Sequence, residues 1–143
     1  MPHVIVHTLA ETCAAMQASA ELQSPLTLHS PPNASRSLGV GYFLAMIESA
    51  RRQVPAAKSL AVLDCGTAPG LALAALKAGA EGVRLACSPH VMKKVAEIAT
   101  QSGASLFLDL PHDIIDLGKI ADPLAATRAL LGGASVIEPP QNS

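Results

Sequence analysis

Ser59-Leu60-Ala61-Val62-Leu63-Asp64-Cys65-Gly66-Thr67-Ala68-Pro69-Gly70 is the stretch that decides how this chain folds. Leu60 to Leu63 is continuously apolar, the pattern of a central strand covered on both faces rather than the alternation of a half-exposed one. An acid ends the strand, Gly66 supplies a turn, and an Ala/Leu-rich segment at helical spacing runs on to Gly79. Strand, polar turn and helix in about twenty residues form the opening of a β-α-β unit.

The same grammar continues on either side. Toward the C-terminus, Val83 to Cys87 reads as a strand, and Ser88-Pro89 supplies an N-cap and first-turn residue for a helix through Gln101. Val91, Met92, Val95, Ile98 and Ala99 mark its inward face. Ser105 to Leu108 is a further strand, and Asp122-Pro123 opens a last helix that ends at Gly132-Gly133. Toward the N-terminus, Val4 to Val6 is a β-branched run followed by Leu9, Cys13, Met16 and Ala20 at helical spacing. Pro25 to His29 is a second strand, closed by the loop Ser30-Pro31-Pro32-Asn33. Ser35 or Ser37 then caps a helix through Arg52 whose inward stripe is Val40, Phe43, Leu44 and Ile47. The segment His112 to Ile120 reads equally as a short helix or an edge strand.

Alternating strands and helices predict an α/β fold: one small, open, mostly parallel sheet of about five strands with helices on both faces, Rossmann-like or flavodoxin-like. Residues 1–136 are expected to form a single domain and 137–143 a mobile tail. A chain of 143 residues is large enough for one core. With half its residues apolar and 2% aromatic, that core must be built from Ala, Leu, Val and Ile. A net charge of −1 offers no basic stripe for nucleic acid. So little polar material on so hydrophobic a chain favours a homodimer. The apolar runs are too short for a membrane helix, and three widely spaced cysteines, Cys13, Cys65 and Cys87, suit a reducing, cytoplasmic setting.

Ligands of open parallel sheets bind outside the carboxyl ends of the strands. Those ends carry His7 and Thr8; His29 and Ser30; Asp64, Cys65 and Thr67; Cys87, Ser88 and His90; and Asp109, His112 and Asp113. Asp64, Gly66, Thr67 and Gly70 are the most distinctive set, where a small ligand's anionic group would meet free backbone N–H groups and Asp64 would accept from a hydroxyl or amine. Ser88 and His29 complete the candidate ligand-binding residues. This concentration of His, Cys and Asp suits a metal site or an acid–base pair, but no Cys or His pair has a diagnostic metal-ligand spacing, so no metal ligand is assigned, and no catalytic residue or cofactor is identified.

Three resemblances attach to this region. Leu60 to Asp109 resembles the opening of an S-adenosylmethionine-dependent methyltransferase through Asp64-Cys65-Gly66-Thr67-Ala68-Pro69-Gly70, which implies that Asp64, Gly66 and Gly70 line a cofactor site. Pro69-Gly70-Leu71 and Cys87-Ser88-Pro89-His90-Val91 are similar to STAS regulatory domains, which implies a role for Thr67 or Ser88 at a helix start. Ala78-Gly79-Ala80-Glu81-Gly82-Val83 with Ser88-Pro89 resembles part of a phosphate-binding (βα) barrel of the aldolase type. One stretch that carries three likenesses displays β-α-β grammar before any one family, and fold analogy does not assign function. The expectation is therefore a non-catalytic module that binds a partner protein, itself or a small ligand at the strand ends. The alternatives are a small enzyme, either a methyl-transfer relative or a metal- or thiol-dependent one, using some of His7, His29, Asp64, Cys65, Cys87 and Asp109, and a STAS-like regulatory module.

Overall fold

A computed structural model describes residues 1–132; the expected domain end at 136 and the tail 137–143 lie outside the described residues. Six parallel strands, β1 (His3–Ile5), β2 (Leu26–His29), β3 (Ser59–Asp64), β4 (Gly82–Arg84), β5 (Ser105–Phe107) and β6 (Ile115–Asp116), form one sheet in the order β5-β4-β3-β2-β1-β6. The helices are α1 (Leu9–Leu22), α2 (Ala34–Ser37), α3 (Val40–Gln53), α4 (Pro69–Lys77), α5 (Pro89–Gln101) and α6 (Pro123–Leu131). The ambiguous segment resolves as an edge strand: β6 pairs with β1 and leads into a single 3-10 turn, Leu117–Lys119.

Local chemistry sets the helix boundaries. Thr8 caps α1 by accepting from the Glu11 N–H, while the Glu11 carboxylate reaches back to the His7 N–H, a reciprocal arrangement that satisfies two otherwise orphaned donors. Gln23 ends α1 in the left-handed conformation. Asp122 accepts from the Ala125 N–H with Pro123 in the first turn of α6, as the sequence predicts. The helix expected to run unbroken from Ser35 or Ser37 is instead two, capped at Asn33 and Gly39, both at positive φ. Gly39 takes that conformation without a Cβ penalty, and it breaks the segment there.

The α/β class and the open parallel sheet expected from the sequence are present. Strands β1 to β5 lie side by side in chain order, the winding that builds a (βα) barrel when continued. Neighbouring helices contact one another in the sequence α6, α1, α3, α4, α5, so they form one continuous layer. Val4, Val6, Leu26, Leu28, Ala61, Leu63, Val83 and Leu85 point into that layer and make the main core with Ala15, Met16, Phe43, Ala72 and Val95. The strand register places Ile5, Thr27, His29, Val62, Asp64, Gly82, Arg84 and Phe107 on the opposite face.

Among the described residues that opposite face carries no helix, yet Thr27, His29 and Val62 are at most 1% exposed. Curvature explains it. In a flat sheet β2 and β5 would stand roughly 14 Å apart, whereas the His29 and Phe107 ring centroids are 6.2 Å apart and edge-on. The sheet curls into a trough, and Phe107 leans across the space left by Gly82. The β5–β6 connection, residues 108–114, links the two sheet edges although it contains a turn closed by the Ile114 N–H and Pro111 carbonyl. Only a curled sheet brings the edges that close. The apolar run Leu60–Leu63 thus does have two covered faces, but helices cover one and the trough covers the other.

At the amino-terminal ends of the strands, Arg51 makes a two-pronged ion pair with Glu81 (2.6 and 2.8 Å) and also donates to the Ser59 carbonyl. Glu81 accepts the Ala61 N–H as well, so α3, β3 and the α4–β4 turn are tied together. Arg51 is thereby a structural residue. Its neighbour Arg52 makes only an exposed i,i+4 contact with Glu48.

Candidate functional site

The carboxyl ends of the strands open into the mouth of the trough, and three polar pairs stand along its face. The first joins the end of β1 to β6. His7 Nε2 lies 2.7 Å from Asp116 Oδ1, which also accepts the Gly118 N–H at 2.9 Å. An ionised carboxylate only accepts, so this geometry assigns the proton to Nε2 and leaves Nδ1 as the basic nitrogen. The His7 side chain is 38% exposed and can meet a ligand. A histidine fixed by a carboxylate that is itself fixed by a backbone N–H is an arrangement suited to moving a proton.

The second pair is Asp64 and Arg84, adjacent in register on β3 and β4. Asp64 is 2% exposed, and its carboxylate is well satisfied: Oδ1 accepts from the Asn33 N–H (3.1 Å) and Gly66 N–H (2.9 Å), and Arg84 Nη1 reaches Oδ1 and Oδ2 at 3.3 and 3.1 Å. The Asp64 N–H donates to Ser30 Oγ at 2.8 Å. This carboxylate therefore locks the β2–α2 and β3–α4 loops together. Gly66 is required in that lock, since its φ is +56° and a Cβ there would collide with the Asn33 side chain.

The third pair is His3 and His29, with Nδ1 and Nε2 2.8 Å apart. Burial, together with the neighbouring His3, lowers the His29 imidazole to about 4 against the opposing pull of Asp64. Burial and the N-terminal amine lower His3 too, opposed by Asp113. Both rings are neutral near pH 7, and one donates to the other.

Of the residues singled out from the sequence, Asp64 and Gly66 come together with Arg84 and Asn33, and His29 lies within electrostatic reach of Asp64. Thr67 and Gly70 are exposed at the start of α4. Ser88 is exposed before α5 and makes no side-chain cap bond. Asp109, His112 and Asp113 are exposed on the β5–β6 connection. The cysteines are unpaired, and burial raises the Cys65 thiol, which sits in the helix-side core. Among the described residues no three His, Cys, Asp or Glu side chains are placed to share a metal ion.

Sequence reasoning missed Arg84, Asp116 and Asn33. Arg84 had a legible signal, a lone charge inside the apolar run Val83-Arg84-Leu85 at the same strand parity as Asp64. Asp116 had none, because its importance comes from pairing with a histidine 109 residues away.

No protein-family model matches this chain, and no curated protein matches it. Among solved structures it is similar to the YdjI aldolase from Escherichia coli K12, with a TM-score of 0.60 and 15% sequence identity. That match covers 94% of this chain and 52% of the aldolase, so the chain spans about half the length of that protein. The likeness is one of fold, α/β in both, and no helix of the described residues is long and apolar enough to cross a membrane.

Proposed function

We propose that this chain is the ligand-binding and proton-transferring part of a barrel-type enzyme acting on a small carbonyl compound. The observation that carries this reading is the His7–Asp116 pair at the mouth of the trough, anchored by the Gly118 N–H. In it, His7 Nδ1 takes a proton from the carbon beside the ligand carbonyl. The C–H electron pair becomes the carbon–carbon double bond of an enolate as the carbonyl π pair moves onto oxygen, Asp116 stabilises the imidazolium, and the proton is returned when the carbonyl re-forms. The fold likeness to an aldolase, an enzyme class that works beside a carbonyl, supports the same chemistry. Asp64, Gly66 and His29 shape the pocket wall in this reading, and three free thiols support a reducing, cytoplasmic setting.

The test is deuterium uptake from D2O at the α-carbon of a small hydroxyketone, followed by proton NMR. The wild-type chain should catalyse uptake, and His7→Asn should slow it by about 10²–10⁴-fold, the usual weight of one general base. Uptake no faster than buffer, or unchanged in His7→Asn, removes the reading.

A second reading, self-association as a homodimer, is favoured by an apolar groove of about 420 Å³ beside the β5 edge, lined by Cys87, Met92, Ala96, Leu106 and Leu108. Leu108 is 52% exposed there. Sedimentation at micromolar concentration decides it, a monomer removing the dimer.

A further inference from the structure

Arg84 engages Asp64 through Nη1 alone. The opposite edge of its guanidinium, where Nε–H and one Nη2–H point the same way, is the edge that matches two oxygens of a carboxylate or phosphate. Nε on that edge is buried, and among the described residues neither it nor Nη2 has a hydrogen-bond partner. A buried donor left unpaired is a standing cost to the fold, and native proteins seldom retain one without a use. Asp64 holds the rest of the group still, being itself tied to the Asn33 and Gly66 N–H groups. The Arg84 side chain is 22% exposed at the carboxyl end of β4, and its buried Nε meets a ligand only when the atoms that cover that edge move aside.

We infer that the free edge of Arg84 is an oxyanion anchor, and that the ligand of this site carries a carboxylate or phosphate group bound by Nε and Nη2. The inference rests on the reading of the trough mouth as a ligand site and names the chemical class of that ligand. The Asp64 charge opposes a second anion, so affinity for a bare ion is weak, with a Kd on the order of 1–10 mM. A full-sized ligand adds its remaining contacts to that anchor.

The experiment is a titration of the ¹⁵N-labelled chain with inorganic phosphate and, separately, with acetate at matched ionic strength, following the Arg84 Nε–Hε resonance. A saturable shift is expected, and which ion produces it tells a tetrahedral from a planar anion. Arg84→Lys keeps the charge but loses the fork, and its affinity, read from backbone amide shifts, should fall about tenfold. No shift with either ion means that the edge stays closed to anions, and equal affinity in Arg84→Lys means that charge alone attracts the ion; either overturns the inference. The outcome is separable from the acid–base reading. An Arg84 shift without deuterium uptake leaves the anchor and removes the proton transfer, whereas uptake with a silent Arg84 does the reverse.

Discussion

Replacing Gly82 by Val tests the curled sheet directly, because local propensity and tertiary structure forecast opposite signs. Gly82 is interior to the sheet, where a β-branched residue is favoured over Gly, so a strand considered alone gains up to about 1 kcal/mol from the change. In the trough, a Cβ at this position would lie 3.1 Å from Val62 Cγ2, 3.4 Å from the Ala61 carbonyl oxygen and 3.4 Å from Phe107 Cε2. Two further methyl groups must displace the Phe107 ring or the strand, an overpacking cost of about 1–3 kcal/mol. The net expectation is a loss of about 1–2 kcal/mol. With a urea m-value of about 2 kcal/mol per molar, the unfolding midpoint should fall by about 0.5–1 M. Phe107→Ala frees the volume that Val needs, so the double variant should be less unstable than the sum of the two singles, by roughly 0.5–3 kcal/mol. A midpoint that rises in Gly82→Val, or strict additivity in the cycle, would refute the reasoning that Phe107 closes the trough over Gly82.

His29, held at about 4, is below its unfolded value of 6.5, so the unfolded chain binds the extra proton between those values. Stability is full above about pH 6.5 and should fall by up to about 3 kcal/mol as pH drops toward 4. His29→Gln should flatten this part of a denaturation-against-pH profile, and an unchanged slope would exclude His29 as its source. Arg51→Met should lower stability by about 1–2 kcal/mol through loss of the two-pronged Glu81 contact, while Arg52→Met should stay within about 0.5 kcal/mol. Equal midpoints for the two variants in urea would contradict the structural role given to Arg51.

Much of the secondary structure follows from short-range chemistry. Asp122-Pro123 favours a helix start through its own short-range chemistry, and the apolar run Leu60–Leu63 favours a strand covered on both faces. The turn at Gly66 is similarly legible, since an acid, a glycine and a helix start already announce a strand end. For these reasons the parallel α/β class and the carboxyl-end location of the polar residues could be read from the sequence alone.

What the sequence could not supply is which strands are neighbours, and the site depends on that. His7 meets Asp116 only because β6 joins the β1 edge rather than the β5 edge beside which it is made. Asp64 is saturated only because β3 and β4 pair in a register that sets Arg84 next to it. The second cover over Val62 and His29 comes from curvature, a property of the whole sheet that no single strand encodes. Periodicity and capping act over a few residues and are written in the order of the chain; strand order, register and curl are fixed by contacts between distant segments, and only the folded structure decides them.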